Sequence, residues 1–116
     1  KRPSVICNRF DVVVVPFPFT DSPRAKRRPA LVLSTKDFNR HSHTIMGMIT
    51  TKRRPPWPGD TPIESFVHAG LKVPCIVRLK LFTLDSRLIL RTLGSLSKKD
   101  AAAVESHLGS FLMAQS

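Results

Sequence analysis

Asp11-Val12-Val13-Val14-Val15 is the stretch that decides the class of fold. Four successive valines are stiff at χ1 and pack well on a pleated surface, so the run reads as a short strand. Pro16 and Pro18 follow at once, and a proline gives no hydrogen to a ladder. The strand is therefore expected at a sheet edge, or to end there. Upstream, residues 1–9 are mixed and read as an extended lead-in. Downstream, Thr20 to Pro29 is rich in Pro, Ser, Asp and basic residues and reads as a loop.

Further strands follow. Ala30 to Ser34 is largely apolar and expected in the middle of a sheet. Lys36 to Arg40 is at most a helical turn, and His43 to Thr50 is a third strand. Lys52 to Pro62 holds four prolines and one glycine and must be irregular. A weak strand is expected at Ile63 to Val67, and Ala69-Gly70-Leu71 marks a turn. Cys75, Val77, Leu79 and Leu81 alternate with Ile76, Arg78 and Lys80. That is a half-buried strand with a cationic outer face. Leu88 to Leu93 is a last strand, expected to break at Gly94.

The chain then changes period. Ser97 is a good N-cap, and Asp100 three residues on completes a capping-box-like start. Ala101, Val104, Leu108, Phe111 and Leu112 recur at helical spacing, the stripe of a helix packed on a sheet. Strands followed by one helix predict a mainly β domain, a curved antiparallel sheet or partly open barrel with a C-terminal helix. With 116 residues and no linker or repeat, a single domain over 1–116 is expected.

Charge narrows the function. There are 19 Lys plus Arg against 8 Asp plus Glu, a formal net charge of +11. That excess is the electrostatic footprint of a nucleic-acid binder. No apolar run approaches the roughly 18 residues of a membrane span, and the C-terminal helix carries few basic residues on its polar face. No membrane partner is expected. Cys7 and Cys75 make neither a disulfide framework nor a metal pattern and read as buried thiols. His41, His43, His68 and His107 have no metal-ligand spacing and read as structural or solvated. No metal or other cofactor is expected.

Several phrases, taken in order, resemble the MazF/PemK toxin family. Arg9–Asp21 (RFDVVVVPFPFTD) is similar to its opening strand and Arg28–Ser34 (RPALVLS) to its second. Asp37–Arg40 (DFNR), Ile49-Thr50-Thr51, Ala69-Gly70-Leu71, Val77-Arg78, Thr83-Leu84-Asp85 and Gly94–Ser97 (GSLS) follow, so the likeness spans about residues 9–112. The family has Gly-Asp where this chain has Phe10-Asp11. Some members carry an acidic residue, proposed as general base, where this chain has Lys80.

The resemblance implies a small SH3-like barrel and a homodimer with RNA crossing a groove at the subunit interface. It implies a cytoplasmic bacterial toxin that cuts single-stranded RNA without metal and is restrained by an acidic antitoxin. Arg28 is then the main catalytic residue, since a guanidinium grips two phosphate oxygens and stabilises a phosphorane. Thr50 matches the family's catalytic Thr or Ser. Phe17, Arg27, Thr51, Lys52, Arg53, Arg78 and Lys80 are the expected RNA contacts, with Arg24, Lys26 and Arg54 near them. Trp57 and Phe17 are candidates to stack on bases. Read without the resemblance, Arg28 and Arg78 are equally solvated charges on strands, and Trp57 is equally a loop anchor.

Two other readings stay open. A CcdB-like gyrase poison shares the fold but depends on a C-terminal Trp-Gly-Ile, and this chain ends Met113–Ser116 (MAQS). A bare basic nucleic-acid-binding module needs the charge but not Arg28 with Thr50.

Overall fold

The computed structural model describes residues 6–17 and 25–113. Six strands and two helices run in the order β1 (Asp11–Phe17), β2 (Lys26–Val32), α1 (Lys36–Asn39), β3 (His43–Thr50), β4 (Thr61–Pro62), β5 (Ile76–Asp85), β6 (Arg91–Ser95) and α2 (Lys98–Leu112). A 3-10 turn, Ser86–Leu88, joins β5 to β6. The strands form one antiparallel sheet in the order β4-β5-β3-β2-β1-β6. The sheet curls into a half-barrel with α2 at the C-terminus.

The valine run lies in the interior of this sheet. β1 has β2 on one side and, from Asp11 to Val14, β6 on the other. Val12 to Val15 are all buried because both faces are covered. Val12 packs with Leu31, Ile49, Val77, Leu96 and, from α2, Val104 and Leu108. Val13 and Val15 pack with Cys7, Ala30, Val32, Met46, Leu84 and Ile89 on the other face. The expected edge position is thus corrected. Pro16 is tolerated because β6 pairs only as far as Val14, so beyond it β1 has β2 as its one strand neighbour.

Other boundaries also move. β2 begins at Lys26, four residues before the apolar Ala30, because Pro16 and Phe17 pair with Arg27 and Lys26. The Ile63 to Val67 segment forms turns, and only Thr61–Pro62 pairs with β5. β6 runs through Gly94 instead of breaking there. Ser97 does cap α2, its hydroxyl accepting from Asp100 N at 3.2 Å. The Asp100 carboxylate does not close a capping box. It is buried and accepts from Glu64 N at 3.1 Å and Ser65 N at 2.9 Å, tying the turns after β4 to the helix start.

Phe10 marks the departure from the family's Gly-Asp. Its φ is +71°, in the left-handed region that favours glycine. A side chain there costs about 1–2 kcal/mol. The residue is held by Phe10 N to Val32 O at 2.8 Å and Leu96 N to Phe10 O at 3.0 Å. The Arg9 guanidinium sits 5.0 Å from its ring.

The turns after β4 close against β6, and Gly94 is what lets them. A Cβ there would lie 2.7 Å from Ala69 C and 2.8 Å from His68 O, both backbone atoms. Gly109 on α2 has nothing within 4 Å of such a Cβ. Gly94→Ala is therefore expected to destabilise by about 1–3 kcal/mol through overpacking. Gly109→Ala is expected to stabilise by up to about 1 kcal/mol through helix propensity. Urea unfolding midpoints measure both, and a neutral Gly94→Ala would contradict the close approach.

Candidate active site

Strand register brings the two central residues together. The last β2–β3 partners at this end of the pairing are Ala30 and Met48. Arg28 lies two residues before Ala30, and Thr50 two residues after Met48. Side chains alternate faces along a strand, so both share the face of Ala30 and Met48, at the same end. β1 joins them there, with Val15 paired to Arg28 and Phe17 to Lys26.

A cavity of about 500 Å³ opens at that end, and Phe17, Arg28, Thr50, Thr51, Lys52 and Lys80 all line it. Val15, Met48, Cys75 and Phe82 contribute its apolar part. Its charged lining residues are Arg28, Lys52 and Lys80, and its described lining includes no carboxylate or imidazole. Thr50 Oγ1 accepts from Lys52 N at 3.1 Å, which orients the hydroxyl and leaves its own hydrogen to be donated. Burial pushes the Cys75 thiol up, so it is not a thiolate nucleophile at neutral pH.

The remaining candidates are placed differently. Arg27 is exposed, but it alternates with Arg28 and points from the other face of β2. Arg53 is exposed in the segment after β3 and does not line the cavity. Lys26 is exposed opposite Phe17. Arg24 lies outside the described residues. Among the histidines, His107 Nδ1 is 2.6 Å from Thr61 Oγ1 and His68 Nδ1 is 2.9 Å from Ser95 O, both structural contacts. Among the described residues, no three His, Cys, Asp or Glu side chains cluster as a metal site, and no helix is long and apolar enough to cross a membrane.

Arg78 requires a correction. It was expected on a cationic outer face, yet it is 7% exposed. Its Nε donates to Asp60 Oδ1 at 3.0 Å and its Nη2 to Asp60 Oδ2 at 2.8 Å, with a further bond to Pro55 O at 3.2 Å. The alternation itself is kept, since Arg78 pairs with Met48 as Ile76 does with Thr50, but the segment after β3 covers Arg78 through Asp60 and Pro55. Next to it β5 carries a bulge. Gly47 pairs with Leu81 and Met48 with Arg78, so Leu79 and Lys80 are extra residues. Within the bulge Lys80 is exposed, and its Nζ lies 4.5 Å from the Trp57 ring centroid. Trp57 is 40% exposed but anchored, its Nε1 donating to Leu79 O at 3.3 Å.

Asp60 was not singled out from the sequence. The available signal was an acidic residue in a segment dominated by Lys52, Arg53 and Arg54, close to a strand arginine that needs a partner if buried.

The sequence model of the family described as PemK-like, MazF-like toxin of type II toxin-antitoxin system matches residues 8–112. The chain belongs to this family. No curated protein sequence matches it. Among solved structures, MazF in the MazE-MazF complex of Deinococcus radiodurans is similar with a TM-score of 0.74 at 23% identity, over 96% of this chain and 100% of that one. A mycobacterial endoribonuclease in complex with its cognate antitoxin gives 0.68 at 16% identity, over 90% and 91%. The toxin MazF-mt6 of Mycobacterium tuberculosis gives 0.70 at 20% identity, over 86% and 93%. At these identities the likeness is one of fold, and it matches the curled sheet and terminal helix of this MazF-like chain.

The Arg78 hydrogen bonds hold the Asp60 carboxyl below its ordinary value. The anchor therefore holds fully above the usual carboxylate range and is lost only as pH falls through the lowered folded value. Trp57, the one tryptophan, reports it. Its emission is expected to stay constant from pH 7 through about pH 4 and to shift red below that. Asp60→Asn is expected to show the shifted spectrum at pH 7; a wild-type shift already complete by pH 5 would contradict the pairing.

Proposed function

We propose that this MazF-like chain is a ribonuclease that cuts single-stranded RNA by attack of the 2′-oxygen on the adjacent phosphorus. The products are a 2′,3′-cyclic phosphate and a 5′-hydroxyl. The observation that carries the reading is the single cavity holding Arg28, Thr50, Lys52 and Lys80 beside Phe17. Its charged groups are all cations, matched to a phosphodiester, and the aromatic ring offers a face to a base.

The nucleophile belongs to the substrate, so the protein's task is positioning and electrostatics. Arg28 holds two non-bridging oxygens and stabilises the phosphorane charge. Thr50 donates a further hydrogen bond. Lys52 and Lys80 hold neighbouring phosphates. One proton leaves the 2′-hydroxyl and one reaches the departing 5′-oxygen. Without a carboxylate or imidazole in the lining, charge stabilisation carries most of the rate. No metal is needed for any of these steps.

The proposal extends to partners. The cationic rim suits an acidic, partly disordered antitoxin segment that folds on binding. The Deinococcus and mycobacterial neighbours carrying antitoxins support this. A homodimer is part of the same reading. A second cavity of about 350 Å³ is bordered by Leu81, Leu108, Leu112 and Met113, and Phe111, Leu112 and Met113 are 55%, 55% and 65% exposed. Leu81 lines this groove and the RNA cavity alike, so a second copy seated here would border the site. The bacterial cytoplasm is the compartment proposed.

Single-turnover cleavage of one unstructured RNA in EDTA, with product ends identified, tests the reaction. Arg28→Ala is expected to lose at least about 10²–10³ in rate, and Thr50→Ala to fall strongly. Arg28→Lys is expected to be poor as well, because a point charge cannot replace the planar fork. Lys80→Ala is expected to cost less than either alanine variant of Arg28 or Thr50. Activity lost in EDTA and restored by a divalent ion, 5′-phosphate products, or a normal Arg28→Ala rate would refute the mechanism.

A further inference from the structure

A segment between β3 and β4 is fastened onto the bulge of β5 by several independent contacts. Arg78 takes Pro55 O and both Asp60 oxygens, so one guanidinium clamps two points of the segment. Asp60 Oδ2 also accepts from Trp57 N at 3.0 Å, and Asp60 N donates to Trp57 O at 3.0 Å. The indole N–H goes to Leu79 O. Gly59 comes so near that a Cβ there would lie 2.6 Å from Leu79 Cδ1. The outcome is a fixed indole, with the Lys80 ammonium against its ring and Lys80 lining the RNA cavity.

We propose that Asp60 is a positioning residue of the site: through Arg78 and Trp57 it fixes the place from which Lys80 meets the RNA backbone. A lysine on a flexible stem loses side-chain entropy when it must hold one phosphate. An aromatic face already holding the ammonium lowers that loss. Lys80 stands exposed in the bulge, the indole limits where it stands, and Asp60 fixes the indole. A carboxylate is suited to this because it neutralises a buried guanidinium that would otherwise be unpaired. It also keeps that guanidinium off the RNA, leaving Arg28, Lys52 and Lys80 as the cations of the cavity.

The ribonuclease reading supplies the chemistry that this arrangement serves, but the lock can be measured by binding alone. The full chain, Asp60→Asn, Trp57→Leu, Lys80→Met and the Asp60→Asn/Lys80→Met double variant are titrated with an unstructured 2′-O-methyl oligoribonucleotide across a salt series. Lys80→Met is expected to lower the log–log salt slope by about 0.7, one phosphate contact. Asp60→Asn and Trp57→Leu are expected to lower it equally, and the double variant no further than Lys80→Met alone. Trp57→Leu keeps the Asp60–Arg78 pair, so it gives a reading even if Asp60→Asn fails to fold. An unchanged slope in Trp57→Leu overturns the proposal, as do losses that add in the double variant. With unmodified RNA, Asp60→Asn is expected to raise the half-saturating concentration more than it lowers the saturated rate, and the reverse pattern also overturns it. Should the wild type leave unmodified RNA uncut, the ribonuclease reading fails while the slopes still decide the role of Asp60.

Discussion

Antiparallel pairing of β2 with β3 is the constraint from which the site follows. Once Ala30 stands opposite Met48, alternation of side chains puts Arg28 and Thr50 on one face at one end of the sheet. A slip of one residue in either strand would send one of them to the opposite face. The register is held by burial on both faces. Leu31 packs toward α2, while Ala30, Val32 and Met46 pack on the other side. The core that stabilises the fold therefore also sets the geometry of the cavity.

Charge is handled by the same placement. Among the described residues Arg78 is the one buried basic side chain, and it carries a bidentate carboxylate. Arg28, Lys52 and Lys80 stand around an open cavity, where water and ions screen their mutual repulsion until an anion arrives. An excess of +11 is compatible with folding because the cations that meet at the site stay solvated. The two roles stand within three residues of β5, Arg78 covered by the segment that carries Asp60 and Lys80 exposed in the bulge.

Much of this was legible in the residues. β3 occupies His43–Thr50 as read, a run bounded by turn and bend residues at both ends. The terminal helix and its Ser97 cap were legible from period and cap chemistry. The start of β2 was not, because Lys26, Arg27, Arg28 and Pro29 have the composition of a loop and become strand only by pairing with β1. Arg28 and Thr50 were named through family resemblance, and their shared end of the sheet follows from register. Arg78 was misplaced because the alternation gives its face but not the irregular segment that folds over it with Pro55 and Asp60. Asp60 was missed because its partner is distant in sequence and the segment carrying it has no period.

The central claim is that Arg28 and Thr50 act on one phosphate. A double-mutant cycle on the single-turnover rate, using Arg28→Lys, Thr50→Val and the combined variant, tests it most directly. If both groups grip the same phosphorane, either change spoils the geometry the other depends on, and the combined loss is well below the product of the two single losses. Losses that multiply would show two independent contributions and contradict the account.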